Sequence, residues 1–463
     1  MEGRKKSQQE TTLIFHPSPR RTPQQTLLSA LFYLLPTSPK PLYFKMRINM
    51  SALAFSALAG TAAADASLRA GAVAEASPLS AVHEWGTYIS CQGSDGAILA
   101  GVHHEEQALP DFVHTRAESL KTDGSDDGLD WSPVAGTATE VTQKMETPVI
   151  YFYSDSTEDI NVSVDVSFPE GITSHLYPNA QTNVPAIGEV TETAGGFTSW
   201  DVTVKAAGVQ LDVPEVDEDN IWAPSRRVDA NFVAGDNDEA DRLIFYRGVG
   251  RFDLDLHASS DSDKSVLTLS NTDDSVDVPA SFALETDGYS RGRVVALGSV
   301  AAGSTASTPL SDDARSLSGE WLPYAEYETR ASVLLESSLR DAGLYPLEAR
   351  AMVDTWTHSY FQTPGVRVLY VAPRSWVDTV LPITVEPTPE ELERAFVGRV
   401  EVLLAGEEEA LLQAVRRGSS WDTIESRMGR FAEPWLRRLS TLATEAGDDK
   451  AAARCLARAD ELA

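Results

Sequence analysis

Ile160-Asn161-Val162-Ser163-Val164-Asp165-Val166-Ser167-Phe168 alternates apolar and polar side chains without a break. Successive side chains of a strand point to opposite faces. Ile160, Val162, Val164, Val166 and Phe168 would therefore line one buried face, with Asn161, Ser163, Asp165 and Ser167 on the other. A helix would scatter the same residues around its circumference. Upstream, residues 149–153 form a compact apolar run. Downstream, residues 197–204, 243–246, 265–269, 280–284 and 293–300 read as further strands. Polar turns such as Glu215-Val216-Asp217-Glu218-Asp219-Asn220 and Gly235-Asp236-Asn237-Asp238 separate them. Several short strands with turn signals predict an antiparallel sandwich or barrel over 147–303, with no helical period of useful length. N-terminal to it, residues 81–90 read as a strand with His83, Trp85, Thr87 and Ile89 on one face and Glu84, Gly86 and Tyr88 on the other.

Past residue 303 the period changes. Residues 301–312 are rich in Ala, Gly, Ser, Thr and Pro and read as a linker. A helix is expected over 324–342, stopped by Gly343. Pro346 suits the first position of a second helix ending near Phe361. Residues 367–372 read as a strand and 377–385 as extended. Thr388-Pro389-Glu390-Glu391 reads as a capping box that starts a helix. From Glu407 on, Trp421, Ile424, Met428, Phe431, Trp435, Leu439 and Leu442 form one helical stripe, divided by Pro434. The expected class is α+β: an antiparallel, sandwich-like β-rich N-terminal and central region, then a mixed and finally helical C-terminal region. The expected divisions are 1–66 (targeting), 67–80 (a flexible lead), 81–303 (β-rich), 304–312 (linker), 313–405 (mixed) and 406–463 (helical).

The chain has 463 residues and a net charge of −31, with 38 Lys and Arg against 69 Asp and Glu. From Ser67 on, 30 basic residues face 66 acidic ones, a surface that repels nucleic acid and anionic membranes. Such a surface suits a saline habitat, or a cationic or cell-envelope partner. Lys45-Met46-Arg47, an apolar stretch over 48–64 and Ala62-Ala63-Ala64-Asp65-Ala66 read as a secretory signal, with translation expected to start at Met46 or Met50. At 17 residues, with Asn49 inside it, the stretch is poor as a membrane span, so no stable span is expected in the mature chain. The product would be periplasmic, cell-envelope or extracellular. Cys91 and Cys455 are too few and too far apart in sequence to form a disulfide framework.

Four of the eight histidines fall between His83 and His114. Histidine and carboxylate side chains together can hold a divalent metal or move protons. His83-Glu84 is not a metalloprotease HExxH, and on a strand the two side chains diverge. Of His103-His104-Glu105-Glu106, one imidazole at most could join a site. Arg350, Asp354 and His358 recur every four residues on one helix face, where Asp354 and His358 could bind an ion, form an acid/base dyad, or belong to a surface ion pair. Glu146 precedes a strand and is a further candidate carboxylate. The candidate ligands of a metal ion are thus His83, Glu146, Asp354 and His358, with Glu84, His114, His175 and Arg247 as secondary candidates. Asp236-Asn237-Asp238-Glu239 departs from the EF-hand pattern. C-x-x-C and dinucleotide-binding fingerprints are missing from the sequence, which argues against zinc-ribbon and Rossmann chemistry. Gly288-Tyr289-Ser290-Arg291-Gly292 has the G-x-S-x-G spacing, but it joins two runs that read as strands (280–284 and 293–300) and not a strand to a helix, which argues against a serine hydrolase.

Several segments resemble a family of exported proteins of Gram-negative bacteria of the planctomycete and myxobacterial kind. They are HEWGT (83–87), KMETPVIYFYS (144–154), FYRGVG (245–250), SYFQTPGVRVLYVAPRSWVDTVLPI (359–383), GRVEVL (398–403) and GRFAEPWLRR (429–438). The resemblance implies export and a single unit over roughly 81–440. It transfers no catalytic role, because that family has no assigned activity, and it does not reach His103 or His104.

Two functional readings follow. In one the chain is a non-catalytic envelope or secreted binding protein. In the other it is a metal-dependent, hydrolytic exported enzyme using His83 with Glu146 or with Asp354 and His358.

Overall fold

The computed structural model describes residues 76–102, 107–115, 141–183, 194–288 and 290–462. The targeting region, most of the expected lead, His103 to Glu106 and the turn cluster at 123–128 lie outside the described residues. All described residues fall in one compact unit, and the fold is α+β.

Eight long strands build most of an eleven-stranded sheet: β1 (Ala81–Gln92), β2 (Gln143–Tyr153), β3 (Gly171–Tyr177), β4 (Ile244–Gly250), β5 (Val278–Thr286), β6 (Arg291–Val300), β7 (Gly365–Val371) and β8 (Glu391–Val402). Their order across the sheet is β6-β5-β7-β8-β1-β2-β4-β3. β1 lies near the middle and is buried along its whole length. It pairs antiparallel with β2 and parallel with β8, so the sheet is mixed. Its side chains alternate as the sequence predicts. Val82 and Tyr88 join one core, while Trp85 joins another on the opposite face.

On the first face the large sheet packs against two smaller ones. Val162, Val164, Val166 and Trp200 of a six-stranded sheet and Leu267 and Leu269 of a three-stranded sheet meet Val82, Ile150, Phe152 and Ile244 in a shared core. On the second face lie two helices, α1 (Tyr324–Asp341) and α2 (Pro346–Thr357). Tyr327, Ala331, Leu335 and Leu339, spaced by four, turn one stripe of α1 to the sheet. The α2 helix runs into a π-helical turn, His358–Gln362. The C-terminal helices form a third core with Ile89, Cys91 and Leu403 at one end of β1 and β8. Cys91 and Cys455 are both buried and unpaired. No described helix is long and apolar enough to cross a membrane.

Four expectations need correction. The capping box at 388–391 starts no helix: Glu391–Val402 is β8, where pairing with β1 and β7 outweighs a local cap. Residues 377–385 are not one extended run, because Arg374–Val380 is helical and only Ile383–Glu386 is a strand. The linker at 301–312 contains strand Thr305–Pro309, whose small polar residues pair with Val266–Asn271. Finally, β5 and β6 share the large sheet with β7 and β8, so the 81–303 and 313–405 regions are built into one sheet.

Candidate functional site

The strands around β2 depart from regular pairing at one level. β2 carries an extra residue relative to β1 between Glu146 and Val149, and also relative to β4 between Met145 and Val149. Thr147, within this bulge, sits at φ 45°, a strained conformation for a β-branched residue. Gly86 lies opposite, where a Cβ would come within 2.7 Å of the Phe396 ring and 3.0 Å of the Pro148 Cα. β3 bulges at Ser174, next to the pairing of His175 with Arg247. Bulges re-aim side chains and are common beside functional sites.

Glu146, 1% exposed, is the centre of this level. Its Oε1 accepts from Lys144 Nζ at 3.1 Å and from Arg430 Nη1 at 3.0 Å. Burial alone would raise its carboxyl. Arg430, Lys144 and Arg247 outweigh burial and hold it far below the usual carboxylate range. Arg430 and Arg399 both lie over the Phe431 ring, at 5.0 and 5.5 Å from its centroid. Arg399 and Arg367 in turn share Glu401 Oε1 at 2.7 and 2.8 Å, and Arg399 donates to the Ser359 hydroxyl. The Tyr360 hydroxyl donates to Thr87 Oγ1 at 2.7 Å, and Thr87 donates to the Val397 carbonyl at 2.8 Å. Thr87, Lys144, Glu146, Arg247, Ser359, Tyr360, Arg399, Glu401 and Arg430 thus meet in one buried network.

Two cavities adjoin it. A groove of about 640 Å³ runs between residues 218–227 and the faces of α1 and α2 that carry Thr329, Ser332, Arg350 and Asp354. A second cavity, of about 20 Å³, is lined by Glu146, Arg247, Trp356 and Ser359. Both cavities are lined by Gln107, Ile221, Thr355 and His358, so the smaller lies at the foot of the larger. The π-helical turn brings His358 and Ser359 there, and such turns recur at functional sites.

The four candidate metal ligands do not assemble. Glu146 pairs across the strands with Thr87, four residues from His83, which puts His83 about 13 Å further along β1 at 3.3 Å per residue. His83 binds Glu348 instead, Nδ1 to Oε2 at 2.8 Å, and lies against the Tyr345 ring at 4.3 Å. Glu348 also accepts from the Tyr153 hydroxyl and the Tyr345 amide, each at 2.7 Å. Burial, and then the Glu348 charge, push the Tyr153 phenol far above its ordinary value, so it remains a donor. A histidine oriented by a carboxylate can serve as a base, but His83 is wholly buried and lines neither cavity. Asp354 binds Arg350 at 2.9 Å, and His358 Nδ1 bonds Gln362 at 2.7 Å. Glu146 and His358 line the smaller cavity, where three cations surround the carboxylate, and Asp354 and His358 line the larger, where Asp354 is held by Arg350. Among the described residues no three His, Cys, Asp or Glu side chains are placed to hold a metal ion. The donor set does not fit a divalent cation.

The secondary candidates divide as well. Glu84 faces away from His83, as expected of a strand, and accepts from Tyr246 and Arg394, which also reaches Asp378 nearer the surface. His114 pairs with Glu239 at 2.6 Å near the surface. His175 bonds Ser174 at 3.0 Å, beside Arg247 on the neighbouring strand. Arg247 alone of the four reaches the Glu146 cavity. Glu348, Thr355, Trp356, Arg399 and Arg430 are not flagged by their sequence context. The Arg of GRVEVL and the Arg of GRFAEPWLRR were available signals, since a charged residue inside an apolar run has to be paired. No protein-family model matches the chain, and no curated protein proves similar to it.

Proposed function

We propose that this chain is an exported, non-catalytic binding protein whose ligand site is the groove beside α1 and α2, with the Glu146 cavity at its foot. One observation carries the reading: the single buried carboxylate in that cavity is surrounded by Arg430, Lys144 and Arg247. A carboxylate held in its charged form by three cations is a weak base at neutral pH. The same cations repel a divalent ion. What remains is a fixed hydrogen-bond acceptor, which serves recognition. The groove volume falls within the roughly 300–1,000 Å³ usual for small-molecule sites. Export is supported by the basic, apolar and small-residue order of residues 45–66. The acidic surface argues against nucleic acid as a partner. It would serve solvation or a cationic envelope partner, whereas the groove offers both signs of charge.

Metal analysis of the purified protein separates this reading from a metal-dependent enzyme. It is expected to carry no stoichiometric divalent ion and to melt at the same temperature with and without EDTA. A stoichiometric ion that is lost in Glu146→Gln would restore the enzyme reading.

A further inference from the structure

We infer that the cavity at the foot of the groove recognises one hydroxyl of a neutral, polyhydroxylated ligand, a carbohydrate. The inference rests on the groove being the binding site proposed above, and it names the ligand class. Three residues lining the small cavity carry a buried side-chain atom with no hydrogen-bond partner among the described residues: Glu146 Oε2, Thr355 Oγ1 and Trp356 Nε1. The residues are 1%, 5% and 3% exposed. Buried polar atoms are nearly always paired, so three orphans around one cavity call for a common partner.

Their chemistry restricts that partner. The Glu146 oxygen only accepts, the Trp356 indole N–H only donates, and the Thr355 hydroxyl can do either. An ammonium group would satisfy Glu146 but has no lone pair for Trp356. A carboxylate or phosphate oxygen would suit Trp356 but has no hydrogen to donate to Glu146. A hydroxyl does both, donating to Glu146 and accepting from Trp356 or Thr355. The cavity volume of about 20 Å³ admits a group the size of one water. The rest of the ligand would occupy the groove. Asp219, Asn220, Arg227, Arg350 and Asp354 there present planar polar groups of both charge signs. Such groups bond adjacent hydroxyls two at a time, and with Glu218 and Glu328 also lining the groove its carboxylates outnumber its arginines, which disfavours an anion.

The test is calorimetric titration of the purified protein with neutral mono- to tetrasaccharides, using spermine and succinate as charged controls. Thr355→Val and Trp356→Phe are compared with wild type. At least one saccharide is expected to bind, and each variant is expected to weaken it tenfold or more. The Thr355→Val melting temperature should be unchanged or higher, because that hydroxyl has no partner in the folded chain. Unchanged saccharide affinity in both variants overturns the hydroxyl cavity but leaves the groove reading standing, as it would if the cavity held only a structural water. Binding of spermine or succinate alone, weakened by Thr329→Trp in the groove, overturns the carbohydrate class and keeps the groove. Binding of no probe overturns the carbohydrate assignment. Saccharide binding that Thr329→Trp leaves intact overturns the groove reading itself.

Discussion

Single residues determine what this site can do, and charge compensation decides between the two readings of Glu146. The same compensation predicts how the protein responds to acid. Burial would raise the Glu401 carboxyl, but Arg367 and Arg399 outweigh it and lower it, as the three cations do for Glu146. A carboxyl depressed in the folded state stabilises the fold fully above its unfolded value of about 4.3, and that contribution is lost as pH falls towards the folded value. Glu285 has the opposite sign, because burial raises it despite Ser316 and Arg293. Stability measured by denaturant unfolding should therefore fall steeply below about pH 4.3. Glu401→Gln should cost about 3–5 kcal/mol at neutral pH by leaving two buried arginines without their anion. It should also flatten the acid limb, and an acid limb parallel to that of wild type would refute the assignment. At this scale the sequence was half legible. Alternation placed His83 and Glu84 on opposite faces, and Glu146 stood out only as a carboxylate just before an apolar run. Alternation could not reveal Glu348, 265 residues from His83 and in the first turn of a helix, where a carboxylate is expected as a cap.

Elements position those residues, and the β2 bulge matters most among them. Gly86 faces the bulge, and its lack of a Cβ lets Phe396 and the Pro148 backbone approach closely. Gly86→Ala should cost about 1–3 kcal/mol through overpacking, read as a lower midpoint in urea at unchanged slope. An unchanged midpoint would show that the close approach is not needed. Strands with strict alternation, such as Ile160–Phe168, were readable because one face is buried and the other is not. β8 was not, since a cap motif precedes it and its buried positions include Arg394, Arg399 and Glu401, which pair only through distant partners. Bulges leave no periodic trace, so the level at which Glu146, Arg247 and Gly86 meet could not be inferred from any one strand.

Across the whole molecule, the site draws on distant segments. Glu146 comes from β2, Thr355 and Trp356 from α2, and Arg430 from the C-terminal helical region, 284 residues from Glu146. That separation explains why the α+β class was legible in the sequence while the site was not. Composition and periodicity are local or additive, whereas the meeting of these segments depends on sheet order. It also makes the groove accessible to a test that leaves the buried network alone. Thr329 is exposed on α1, lines the groove, and bonds only within its own helix, to the Ala325 carbonyl at 2.7 Å. A tryptophan there would fill the groove without touching Glu146. The decisive measurement is the dissociation constant of the best-bound saccharide for Thr329→Trp against wild type. A value at least tenfold weaker, with an unchanged melting temperature, is predicted; wild-type affinity in the folded variant would contradict the groove as the binding site.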